Sequence, residues 1–148
     1  MKSLHRNSRF VIAAFALLAF IGSLRAQTSS TTGKTRIAVV GLDHDHVWGL
    51  LKDISGEPDA ELIAIAETDQ ALVGRAQKQV SASVKFYTDY VAMLDQAKPE
   101  AVIVATSNDR HLEILRQCAK RHIHYSTEKP MATNAADARE KLTPALVE

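Results

Sequence analysis

The stretch RIAVVGLDHDHVWGLL, residues 36–51, decides how the chain is read. RIAVV is a short β-branched run that stops at Gly41. Val47, Leu50, Leu51 and Ile54 then recur at the spacing of one helix face, so a strand feeds an amphipathic helix through the turn GLDHDH. Gly41 stands where a phosphate-cradling G-x-G-x-x-G turn needs its first glycine, but Asp43 and His46 hold the other two glycine positions. The same turn offers His44 and His46 beside Asp43 and Asp45, which are ligand types suited to zinc.

Working toward the C-terminus, the alternation repeats. Ser55-Gly56-Glu57-Pro58 stops the first helix, ELIAIA (61–66) predicts a second strand, and Leu72, Val73, Ala76 and Val80 mark a second helix. Residues 84–87 read as a brief strand and 90–97 as a short helix closed by Pro99. AVIVA (101–105) is wholly apolar, as a central parallel strand covered on both faces would be. Leu112, Leu115, Cys118 and Ala119 give the next helix, 123–126 a fifth strand and 135–142 a last helix. Strands alternating with helices predict an α/β fold with a doubly wound parallel sheet. Ligands bind such sheets beyond the carboxyl ends of the strands. That edge carries residues 41–46, 67–69, 106–111 and 127–130, whereas His122 and His124 fall at the opposite one.

Toward the N-terminus the chain changes character. Lys2, Arg6 and Arg9 precede an unbroken apolar run over 10–21, and small residues follow near Ala26, so residues 1–26 read as a secretory signal peptide. The run is shorter than the roughly 20 residues that span a bilayer, which favours export over a stable membrane span. QTSSTTGK (27–34) reads as a flexible linker, leaving 35–148 as the folded domain. Loss of residues 1–26 removes four basic residues and no acidic one, taking the formal charge from +1 to −3. A mildly acidic domain without an aromatic-interleaved basic patch argues against a nucleic-acid partner. Cys118 is the only cysteine, set in an apolar helical pattern, and reads as a buried structural thiol.

Several residues at the functional edge have two readings. Asp43 or Asp45 can cap the first helix, or its N–H groups can face an anion. Glu67 ends the second strand 26 positions after Gly41, where an acidic residue binds ribose hydroxyls; otherwise it is a solvated strand-end carboxylate. As a ribose ligand it favours NAD over NADP. Arg75 is a weaker candidate for a 2′-phosphate partner and more simply a solvated helix residue. Lys129, in Glu128-Lys129-Pro130, can move a proton if it faces a crevice, or it belongs to a surface charge pair.

RIAVVGL, ELIAIAETD, FYTDYVAML, PEAVIVATSNDRH and HIHYSTEKPMATNAADA, in this order and spacing, resemble the N-terminal domain of the Gfo/Idh/MocA oxidoreductases. The resemblance covers residues 36–142 and implies a Rossmann-like NAD(P)-binding domain, hydride exchange with a sugar or polyol hydroxyl, and a second α/β domain. It implies that Lys129 contacts substrate and helps proton transfer, that the bond before Pro130 is cis, and that Glu128 orients Lys129. Gly41, Asp43, His44 and His46 would form the cofactor turn, Glu67 the ribose ligand, and Thr106, Asn108 and His111 the wall near the nicotinamide. Ser107 stands where the family usually has proline, and His122 where it has a helix-ending glycine. Without a second domain the chain is expected to bind dinucleotide but to be incomplete as an enzyme by itself. Two alternatives stay open: an exported, non-catalytic sugar-binding module, and a metal-binding protein using His44, His46 and His111.

Overall fold

Ala38, Val39 and Val40 have essentially no exposed surface, because β1 (Thr35–Val40) runs down the middle of a five-stranded parallel sheet. The computed structural model describes residues 33–130 and 133–141. The proposed signal peptide, most of the linker and Leu142 lie outside them. The other strands are β2 (Ala60–Ala66), β3 (Lys85–Tyr87), β4 (Ala101–Val104) and β5 (His124–Thr127), in the order β3-β2-β1-β4-β5. The chain leaves β1 toward one side for β2 and β3, then crosses to the other for β4 and β5. The strand order therefore reverses between β1 and β4.

The helices α1 (His46–Gly56), α2 (Gln70–Gln77), α3 (Tyr90–Ala97), α4 (His111–Ala119) and α5 (Ala135–Lys141) alternate with the strands as the periodicity requires. Val47, Leu51 and Ile54 of α1 and Ala76 of α2 pack with Val39, Leu62 and Ile65 on one sheet face. Met93, Leu94 and Ala97 of α3 and Ile114, Leu115 and Cys118 of α4 pack with Ala38, Val40, Ala64, Val102 and Val104 on the other. β1, β2 and β4 thus send alternate side chains into two separate cores, which is what a doubly wound sheet demands of an all-apolar strand. The strand ends differ from the sequence expectation by a residue or so, the last strand starting at His124. Among the described residues no helix is long and apolar enough to cross a membrane.

His122 explains that late start. It takes a left-handed conformation, φ +55°, just after α4, and the Ile123 N–H returns to the Cys118 carbonyl at 3.0 Å. A side chain there costs about 1–2 kcal/mol relative to glycine, part of which the greater freedom of glycine in the unfolded chain offsets. His122→Gly is therefore expected to stabilise the domain by about 0.5–1 kcal/mol, read as a higher midpoint in thermal denaturation.

Cys118 is buried as the sequence suggests, and burial pushes its thiol up to about 11. The folded state keeps a proton that the unfolded chain releases. The thiol's contribution is therefore full below the ordinary thiol range and is lost as pH rises toward 11. Denaturant titrations at pH values of about 8, 9 and 10 should show the native chain losing stability faster than Cys118→Ala. Equal slopes would contradict the assignment.

Candidate cofactor-binding site

The reversal between β1 and β4 opens a crevice at the carboxyl ends of the strands, the place where doubly wound sheets bind ligands. Gly41 forms its floor. Its φ is +82°, and a Cβ built on it would lie 2.4 Å from Thr106 Cγ2, 2.9 Å from Thr106 N and 3.0 Å from Ala105 O. The first position of the turn therefore needs glycine, because β1 and β4 approach each other here with no room for a side chain. Hydrogen bonds from Gly41 N–H to the Ala66 carbonyl and from Asp43 N–H to the Ala105 carbonyl fix the turn to both neighbouring strands.

Glu67 is not a solvated strand-end carboxylate. It is 9% exposed, and its Oε2 accepts the Leu42 N–H at 2.8 Å, while Oε1 accepts the N–H groups of Thr68 at 2.6 Å and Asp69 at 2.8 Å. Leu42, itself 1% exposed, has its N–H satisfied by a carboxylate 25 residues on. The Thr68 hydroxyl also donates to Oε1, at 3.5 Å; each carboxylate oxygen offers roughly two acceptor sites, so Oε2, which takes the Leu42 N–H, keeps capacity for one further donor. Next to it Asp69 caps α2, accepting from Ala71 and Leu72 N–H. A cleft of about 140 Å³ lies over these groups, lined by Gly41, Asp43, Glu67, Asp69, Thr106 and, from the start of α3 and the segment after β4, Tyr90 and Arg110.

The aspartates of the turn do not cap α1. Asp45 takes the N-cap position with helical φ and ψ and makes no side-chain cap hydrogen bond, and Asp43 is exposed at the cleft. The start of α1 is held by backbone bonds instead, from Val47 N–H to the His44 carbonyl at 3.0 Å. His46 turns toward the end of β5, where its Nδ1 lies 3.3 Å from Glu128 Oε2. The Glu128 carboxyl is held below the ordinary carboxylate range, first by the hydrogen bond from His46 and against the opposing effect of burial. Glu128 thus contacts the turn, and a backbone hydrogen bond from Lys129 also lowers its carboxyl. Lys129 is exposed at this edge, and the Lys129–Pro130 peptide is cis as expected.

Beyond β4, Thr106 is buried and packs on Gly41, and Asn108 Oδ1 is shielded with no hydrogen-bond partner among the described residues. His111 departs from the expected nicotinamide wall. It has no exposed surface, and its Nε2 lies 3.0 Å from the Thr106 carbonyl, so it props the loop from beneath. For the same reason it cannot join His44 and His46 around a metal. Among the described residues no group of three or more His, Cys, Asp or Glu side chains is arranged to hold one. Arg75 is placed over the Trp48 ring, 3.7 Å from its centroid, where a cation–π contact joins α2 to α1.

Sequence reasoning placed Asp69 and Arg110 at the ligand-binding edge without giving either a role, and missed Tyr90. Asp69 carried a signal, since it follows Glu67 by two at a strand end and precedes a helix. Tyr90 carried none, because a helix start looks alike whether or not it faces a cleft. A glycine cradle that a Cβ would fill, a helix start without a capping side chain, a carboxylate with one acceptor site left and a spare buried acceptor on Asn108 fit a dinucleotide.

Known proteins are similar to this chain. Inositol 2-dehydrogenase 1 of Saccharopolyspora erythraea is 30% identical over 105 residues, 69% of this chain and 30% of that protein. D-apiose dehydrogenase of Paraburkholderia graminis is 29% identical over 117 residues, 76% of this chain and 29% of that protein. The chain thus spans about 30% of the length of these relatives. Among solved structures, the WlbA dehydrogenase of Bordetella pertussis, in complex with NADH and UDP-GlcNAcA, superposes with a TM-score of 0.66 at 25% identity, covering 78% of this chain and 32% of that one. The profile of the Gfo/Idh/MocA oxidoreductase family, described by its NAD-binding Rossmann fold, matches residues 35–145, and the chain belongs to that family.

Proposed function

We propose that residues 35–141 bind NAD(H) across the crevice and form the dinucleotide half of an oxidoreductase acting on sugar or polyol hydroxyls. The observation that carries this reading is the pairing of Gly41, which leaves the turn open, with Glu67, whose carboxylate is fixed at the end of β2 by three backbone N–H groups. The nicotinamide, when bound, accepts or donates the hydride. Glu67 holds a ribose hydroxyl through its remaining acceptor site and, with Asp69 beside it, disfavours a 2′-phosphate. Thr106 and Asn108 bound the crevice beyond β4. Lys129, exposed at the end of β5, is the group that exchanges a proton with the substrate hydroxyl. Substrate recognition and full turnover rest on groups outside the described residues, consistent with the share of each relative that the chain spans.

Residues 1–26 are proposed to direct export, on their basic start and apolar run. The dinucleotide reading is tested by thermal denaturation. A ligand at one hundred times its Kd stabilises the folded state by about 2.7 kcal/mol, so NADH should raise the midpoint clearly. Stabilisation by sugars or polyols, with none from NADH, would replace it by the non-catalytic binding module.

A further inference from the structure

The cleft over Glu67 is lined by three carboxylates, Asp43, Glu67 and Asp69, and by the guanidinium-bearing Arg110. Three carboxylates oppose a phosphate and suit the uncharged part of a dinucleotide, the adenosine, whose ribose hydroxyls donate to such oxygens. The base beyond the ribose is flat and needs a flat partner. Aliphatic lining is limited to Val40 and Ala66, both buried at strand ends. Arg110 stands one residue before α4 and is exposed. Among the described residues its guanidinium makes no hydrogen bond or ion pair, not even with the carboxylates of the cleft it lines. Glu113, about one helical turn on, is taken by another group, accepting the Tyr90 hydroxyl at 2.6 Å. Tyr90 packs against the core and lines the same cleft, and its phenol is pushed up, first by burial and then by Glu113, with the nearby Arg110 opposing. A planar cation beside a tyrosine, bound to no carboxylate, thus borders the space where the base would lie.

We propose that the Arg110 guanidinium stacks on the face of the adenine base and so helps to set the affinity of the adenosine end. The inference rests on the NAD(H) reading above and deepens it by naming the residue that holds the base. Arginine suits this task because its charge is spread over a weakly hydrated plane that stacks on π faces, whereas the lysine ammonium is a compact, strongly hydrated point charge. A role for Arg110 at a 2′-phosphate is opposed by Glu67 and Asp69, the carboxylates at the ribose end of the same cleft.

The test is calorimetric titration of the full chain, of Arg110→Ala and of Arg110→Lys with NADH, NADPH and ADP-ribose. Arg110→Ala should weaken NADH and ADP-ribose by the same factor, about tenfold, because the two ligands share the base. Arg110→Lys should stay about as weak as Arg110→Ala. The ratio of native to Arg110→Ala affinity should persist when the ionic strength rises from about 0.1 M to about 1 M. Restoration by lysine, or loss of that ratio at high salt, would overturn stacking in favour of a point charge acting on the pyrophosphate. A larger loss for NADPH than for NADH in Arg110→Ala would overturn it in favour of a 2′-phosphate contact. NADH affinity unchanged in Arg110→Ala, yet lost in Glu67→Gln, would overturn the role of Arg110 and leave the cofactor reading intact. Absence of NADH and ADP-ribose binding by the native chain at millimolar ligand would overturn the cofactor reading, and this inference with it.

Discussion

Gly41→Ala is expected to destabilise the domain by about 2–5 kcal/mol and to abolish dinucleotide binding. Two costs add. A residue with a side chain at φ +82° is strained by about 1–2 kcal/mol. The new Cβ would also lie 2.4 Å from Thr106 Cγ2 and within 3.0 Å of backbone atoms of Ala105 and Thr106, which cannot swing aside as a flexible side-chain tip would. Forcing extra volume into a packed site costs about 1–3 kcal/mol. Urea denaturation of Gly41→Ala and of Gly41→Ala with Thr106→Ser separates the parts. The double variant removes the closest contact and should regain a fraction of the loss, while the backbone contacts and the strained φ remain. Full recovery would show that the turn tolerates a side chain.

Glu67→Gln should cost about 2–3 kcal/mol and at least a tenfold loss of NADH affinity. Glutamine offers one oxygen where glutamate offers two. Turned one way, its amide nitrogen faces the Leu42 N–H; turned the other, it faces those of Thr68 and Asp69. A donor meets a donor either way, and the Leu42 N–H is too buried to turn to water. An unmet buried donor costs about 1–3 kcal/mol, and the charge assistance of the remaining bonds goes too. The variant therefore loosens the same turn that the cofactor needs. Stability unchanged from the native chain would mean that Glu67 serves the ligand alone.

Much of this was legible in the sequence because it is local. The apolar runs of β1, β2 and β4 and the spacing of Val47, Leu51 and Ile54 encode the elements directly, and their alternation limits the sheet to a doubly wound order. Gly41 could be placed because it ends the first strand. What could not be read is which distant groups meet. Leu42 and Glu67 are 25 residues apart and His46 and Glu128 are 82 apart, and no periodicity specifies either contact. His111 was misplaced although a signal existed: with Ile114, Leu115 and Cys118 it sits at i, i+3, i+4 and i+7 on one buried helix face. Its polar neighbours Asn108, Asp109 and Arg110 made it look like part of the loop.

The most direct measurement is calorimetric titration of the full chain with NADH and NADPH at one salt concentration, with Glu67→Gln alongside. Saturable micromolar binding of NADH, at least tenfold tighter than NADPH and weakened in the variant, is the predicted result. No heat of binding at millimolar NADH, or a preference for NADPH, would contradict the assignment of this crevice as an NAD site.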